Sequence, residues 1–85
     1  MTTLTITVRL YTTLGCHLCT DALNLLNEYK IKEKFIHIEE IEIGDSDTLI
    51  EKYGIRIPVI QLSVDGPELG WPFTYQTLRH FLEGL

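Results

Sequence analysis

Cys16 and Cys19 are the only cysteines in the chain, and the spacing Cys16-His17-Leu18-Cys19 puts their sulfurs one helical turn apart. Two thiols so placed can do dithiol chemistry: one attacks a disulfide, and the other resolves the mixed disulfide that results. An apolar run and Gly15 come first, so Cys16 is predicted to stand where a helix begins. There its sulfur faces backbone N–H groups that lack intrahelical partners and the positive end of the helix dipole, and both favour thiolate over thiol. Such placement lowers a cysteine pKa from about 8.5 into the range of roughly 3.5 to 7.5. Cys19, on the same side of the helix but deeper, is predicted to remain a thiol until it resolves.

Other uses of the pair are weaker. A structural disulfide across so short a loop contributes only about 2 kcal/mol on the chain-entropy model, against about 3 for fifteen residues. Half of a zinc site is a stronger rival, because two cysteines at this spacing form a common metal knuckle. Yet the chain has no second pair, and His37 and His80 fall in segments that read as strand and helix. No metal ligand set is therefore assigned. Two ordinary core cysteines are the remaining alternative.

The elements that must hold the pair follow from hydrophobic period. Leu4, Ile6, Val8 and Leu10 alternate with Thr and Arg as a strand over 4–11, and Leu18, Ala22, Leu25, Leu26 and Tyr29 share one stripe of a helix over 17–29. A second β-rich run covers 34–41, and Ile43-Gly44-Asp45-Ser46 is a turn offering N-caps for a short helix through Tyr53. Gly54 is its predicted C′ residue, which commonly adopts a left-handed conformation. Val59–Val64 reads as a strand, Asp65-Gly66 as a hairpin signal, Glu68-Leu69-Gly70 as its partner strand. Leu78, Phe81, Leu82 and Leu85 give a closing amphipathic helix with Thr74 as cap. The predicted order is βαβαββα.

A right-handed first crossover makes the first two strands parallel, and the hairpin adds an antiparallel pair. The cysteine loop then lies at the carboxyl edge of the sheet, where α/β folds usually present chemistry. A first strand covered on both faces should be continuously apolar, but Thr5, Thr7 and Arg9 are polar. The covered part is therefore predicted to start near Val8, with Arg9 facing solvent or paired.

At 85 residues the chain is a single domain, 1–85. Its formal charge of −5 and few, scattered Lys and Arg argue against nucleic acid as the main partner. The absence of a basic start followed by a long apolar stretch, and of any membrane-length run, leads to the expectation of a cytoplasmic protein with no membrane association. In that compartment a cysteine pair is more often catalytic or metal-binding than structural. A monomer is expected.

Lys52-Tyr53-Gly54-Ile55-Arg56-Ile57-Pro58, followed by Val59-Ile60-Gln61-Leu62 and Asp65-Gly66, resembles a stretch of thioredoxins, with one residue fewer before the proline. Leu10-Tyr11-Thr12-Thr13-Leu14-Gly15-Cys16 resembles the strand and loop before the glutaredoxin cysteine. With Trp71-Pro72-Phe73, the combination is similar to small glutaredoxin-like proteins, over nearly the whole chain. The resemblance implies a thioredoxin-like α/β fold, a mixed four-stranded sheet flanked by helices. It implies that Pro58 is a cis-proline facing the cysteine pair, with the Ile57 backbone aimed at substrate; an ordinary trans proline starting an edge strand is the alternative.

Departures from the glutaredoxin pattern bear on substrate. His17-Leu18 stands where Pro-Tyr is usual, positions 10–15 hold no Lys ahead of Cys16 and no Arg, and Leu69-Gly70-Trp71-Pro72 replaces Gly-Gly. Glutathione carboxylates thus lose their expected cation and helix-end donors, although Arg56 could replace one contact. No cofactor is expected, and glutathione is kept as a candidate co-substrate. His17 is assigned to substrate binding with Ile57 and Pro58; charged, it would stabilise the Cys16 thiolate while opposing the helix dipole, and a solvated first-turn residue is the even alternative. Trp71 reads as packing near the sheet end, with a groove wall, shared with Arg56, as the rival. His37, His80 and the acidic Glu39, Glu40 and Glu42 read as solvent-facing. The reading is a thiol-disulfide oxidoreductase in which Cys16 attacks and Cys19 resolves, acting on a protein or small-thiol disulfide. A metal or iron-sulfur binder and a non-catalytic interaction module are the alternatives.

Overall fold

Leu10 and Tyr11, consecutive in the first strand, are both buried, because helices cover both faces of the sheet at this point. The computed structural model describes residues 5–33, 36–63 and 65–84. Leu4, Lys34, Phe35, Val64 and Leu85, assigned to elements from sequence, lie outside these. The order is β1 (Ile6–Thr12), α1 (His17–Glu33), β2 (Ile36–Glu42), a 3-10 turn (Ile43–Asp45), α2 (Asp47–Tyr53), β3 (Val59–Leu62), β4 (Glu68–Gly70) and α3 (Tyr75–Glu83). The strands form one mixed sheet in the order β2-β1-β3-β4. β1 runs parallel to β2 and antiparallel to β3, which pairs antiparallel with β4.

Alternation along β1 sorts the two faces. Val8 and Leu10 join Ile36, Ile60 and Leu62 beneath Ala22, Leu26 and Tyr29 of α1 and Leu78 and Leu82 of α3. Tyr11 faces the other way, with Val59, Ile43 and Tyr53. Val8 is fully covered, while Arg9 lies 2.9 Å from the Glu39 carboxylate of the neighbouring strand. The polar residues of β1 are thereby accommodated without breaking either core.

Several boundaries shift from their sequence assignments. α1 continues to Glu33 instead of stopping at Tyr29: Lys32 pairs with Glu28 one turn back at 2.9 Å, and Lys30 and Lys32 complement the carboxyl end of the dipole. Its buried stripe is Cys19, Ala22, Leu26 and Tyr29, and Leu18 is exposed. β3 ends at Leu62 because Ser63 takes a positive φ of 61°, which breaks the pleat. Ser46 caps α2 by accepting the Leu49 amide at 3.2 Å, and Thr74 caps α3 by accepting that of Thr77 at 3.1 Å.

Gly54 closes α2, its amide donating to the Ile50 carbonyl, but without the left-handed turn common at such ends. It is right-handed helical (φ −49°, ψ −43°) rather than left-handed. What demands glycine is space, since a Cβ there would lie 2.4 Å from the Ile50 carbonyl oxygen.

Candidate functional site

Gly15 has φ +80°, a conformation that costs glycine little, and it turns the chain from β1 toward α1. Cys16 then occupies the N-cap position of α1, its carbonyl accepting the Thr20 amide at 3.2 Å. N-cap side chains normally present oxygen to the third helical amide. Here sulfur takes that place: the Cys19 amide donates to Cys16 Sγ at 3.1 Å. Donation by a backbone N–H favours the anionic form of whatever accepts it, so the contact supports a thiolate on Cys16 after reduction.

The two sulfurs are joined as a disulfide. They are not equally placed. Cys19 is 3% exposed and belongs to the buried stripe of α1, whereas Cys16 is half-buried at the surface end of the helix.

A groove of about 440 Å³ opens beside the pair, lined by the Thr12–His17 segment, Cys19, Thr20 and Leu23 on one side and Glu40 and Glu42 of β2 on the other. Cys16, Cys19 and the exposed His17 thus share one cavity. Ile57, Pro58, Arg56 and Trp71 do not line it. Pro58 immediately precedes Val59, which pairs with Tyr11, so it stands at the sheet end from which the cysteine loop departs; the Ile57–Pro58 bond is cis, as is Trp71–Pro72. Ile57 packs against the Tyr11, Ile43, Tyr53 and Val59 cluster.

Arg56 is engaged elsewhere, its guanidinium 3.0 Å from Glu68 and over the Tyr53 ring. Trp71 packs edge-on against Phe73, with ring centroids 5.0 Å apart, beside the main core. Among the described residues no group of three or more His, Cys, Asp or Glu side chains is placed to hold a metal ion. No helix among them is long and apolar enough to cross a membrane.

Glu42 is the site residue that sequence reasoning passed over. Its Oε2 accepts the Thr13 hydroxyl at 2.7 Å and the Gly44 amide at 2.7 Å, and the Thr13 carbonyl in turn accepts the Cys16 amide at 3.3 Å. These donors, the Thr13 hydroxyl first, hold the Glu42 carboxyl below its ordinary range. A clue existed in the alternation Ile36, Ile38, Glu40, Glu42: a strand face that begins apolar turns acidic where it reaches the cysteine loop.

The model of the glutaredoxin-like domain (DUF836) matches residues 7–83. The chain belongs to this glutaredoxin-like family. Protein XcR50 from X. campestris, solved by X-ray, is 32% identical, with a TM-score of 0.80 over 92% of this chain and 97% of that one. Protein Ne2328 from Nitrosomonas europaea is 23% identical, with a TM-score of 0.77 over 95% of each chain. Thioredoxin O2 from Arabidopsis thaliana, in its oxidized state, is 20% identical, with a TM-score of 0.67 over 95% of this chain and 75% of that one. The fold of this glutaredoxin-like domain is therefore thioredoxin-like. No curated protein sequence matches the chain.

Proposed function

We propose that this glutaredoxin-like domain is a dithiol thiol-disulfide oxidoreductase, with Cys16 exchanging with substrate and Cys19 resolving. The observation that carries the reading is the asymmetry of the pair: Cys16, half-buried at the N-cap, accepts the Cys19 amide on its Sγ at 3.1 Å, and Cys19 is 3% exposed. In the reducing direction the Cys16 thiolate attacks one sulfur of a substrate disulfide, and the other substrate sulfur leaves as thiolate. The Cys19 thiolate then attacks Cys16 Sγ, forming the intramolecular disulfide and releasing the second substrate thiol. Two electrons pass to the substrate, and two external thiols, or one dithiol, return them through a mixed disulfide and a second exchange that leaves the external compound as a disulfide. His17, on the groove, and the Ile57 backbone with Pro58, at the same sheet end, are assigned to holding substrate. The substrate is a protein or small-molecule disulfide, and the compartment a reducing one such as the cytoplasm, where paired cysteines serve chemistry more often than structure.

Replacing Cys19 by Ser tests this. The variant should accumulate a mixed disulfide on Cys16 when the reduced protein meets an oxidised substrate, because the resolving thiol is gone. If Cys19→Ser turns over protein disulfides as fast as the parent, the two-cysteine mechanism is wrong.

A further inference from the structure

The groove beside the disulfide has a charge pattern that the exchange chemistry does not itself require. In the parallel register Ile38 lies opposite Val8, Glu40 opposite Leu10 and Glu42 opposite Thr12, so all three β2 side chains belong to the face that α1 covers. Ile38 packs against the main core. Glu40 and Glu42, further along the same face, line open space between β2 and the first turn of α1. Glu42 is held by the Thr13 hydroxyl and the Gly44 amide, and Glu40 is exposed with no hydrogen bond or ion pair to any described residue. Besides the cysteines and Gly15, the rest of the lining is hydroxyl-bearing (Thr12, Thr13, Thr20), apolar (Leu14, Leu23) or the imidazole of His17, which lies on the cysteine-loop side across from Glu40 and Glu42; no Lys or Arg lines it among the described residues.

Resting on the oxidoreductase reading above, we infer that this groove seats the segment flanking the reacting sulfur of the substrate. Glu40 is its specificity-determining residue, selecting a cationic peptide segment over an anionic small thiol such as glutathione. Disulfide exchange requires a second sulfur compound in contact with Cys16 Sγ, and whatever adjoins that sulfur on the β2 side meets two carboxylates. The volume of about 440 Å³ suits a short peptide segment. Lysine or arginine beside the substrate cysteine gains an opposite charge at the rim, while the two carboxylates of glutathione meet like charge. The net charge of −5 extends the same preference to the encounter step.

The test compares exchange rates of the reduced full chain with three disulfides. Two are symmetrical peptide disulfides differing only in having lysines or glutamates around the cysteine, and the third is glutathione disulfide. Each rate is divided by that of the same disulfide with dithiothreitol, which removes differences in intrinsic sulfur reactivity. Rim-exposed charge pairs change a rate by up to about five-fold each, so the lysine peptide should lead by about tenfold at low ionic strength. That lead should shrink toward unity at high salt, where the Debye length falls to a few ångströms. Glu40→Gln should narrow the gap and Glu40→Lys should abolish or reverse it, whereas Glu51→Gln, which removes the same unit of charge at an exposed position on α2 away from the groove, should narrow it far less than Glu40→Gln. Equal normalised rates at low salt, or a preference untouched by Glu40→Lys, would overturn the selection while leaving the exchange reaction standing. Failure to exchange with all three disulfides would instead overturn the oxidoreductase reading beneath it.

Discussion

The Glu42 carboxylate, at the last residue of β2, holds Thr13 by a 2.7 Å hydrogen bond from the threonine hydroxyl, and Thr13 in turn receives the Cys16 amide. A strand end thereby fixes a loop 29 positions away in sequence, and the loop fixes the N-cap sulfur.

Substitutions at position 42 separate shape from charge. Glu42→Gln keeps an oxygen that can accept from both Thr13 and Gly44, so the loop should stay in place and Cys16 should react at close to the parent rate. Glu42→Ala frees both donors and should slow reaction of Cys16 with a neutral disulfide by a few-fold. Stopped-flow rates for the two variants check this, and an alanine variant as fast as the glutamine one would show that the anchor does not position the sulfur.

Reduced protein should be labelled at Cys16. A brief iodoacetamide pulse near pH 7, followed by mass mapping, should place the adduct there, because Cys16 alone combines surface access with donation from a helix amide. Preferential labelling of the buried Cys19 would reverse the assigned roles.

Stability at acid pH should depend on Glu68. Its carboxylate accepts the Tyr53 hydroxyl at 2.6 Å and an Arg56 N–H at 3.0 Å. These contacts, the tyrosine first, hold its pKa below the ordinary value. A depressed folded-state pKa gives stability that is present above the unfolded value of about 4.3 and lost as pH falls through the folded one. Glu68→Gln should lower neutral-pH stability by about 1 kcal/mol and flatten the acid limb of a urea-unfolding series. An unchanged acid limb would remove Glu68 as its source.

Tyr11→Phe should destabilise without touching the chemistry. The phenol donates to Gln61 Oε1 at 2.6 Å, and Gln61 is 6% exposed, so removing the hydroxyl strands a buried acceptor. The expected loss is about 1–3 kcal/mol, with Tm falling about 4–8 °C for each kcal/mol. Exchange rates should match the parent, and a denaturation midpoint unmoved within error would contradict the accounting.

Features set by near neighbours were legible from residues alone. The β1 alternation, most of the α1 stripe, the Ser46 and Thr74 caps and the dithiol spacing all depend on contacts within a turn or a strand. Glu42 is harder to read because its partner Thr13 lies 29 positions away: the alternation shows that the strand face turns acidic near the cysteine loop, but not which of its carboxylates anchors that loop. Gln61 escaped for the same reason, its phenol partner being 50 residues distant. Gly54 is legible as the end of α2, whereas the crowding by the Ile50 carbonyl that excludes a side chain there becomes visible only once the chain is folded. Arg56 and Trp71 are placed by Glu68, Tyr53 and Phe73, which draw them away from the groove.

Among the described residues β2 is an outer strand of the sheet, with β1 on one side only, and the opposite outer strand, β4, is three residues long. An outer strand with free backbone donors and acceptors can template another chain, and natural proteins blunt such margins with charge or brevity. Glu40 and Glu42 supply the charge on β2, Glu39 being paired with Arg9. Any redesign that swaps Glu40 or Glu42 for a β-branched residue to accept an apolar substrate would also strip that margin of its repulsion, and should be watched for fibrillar aggregation and falling soluble yield.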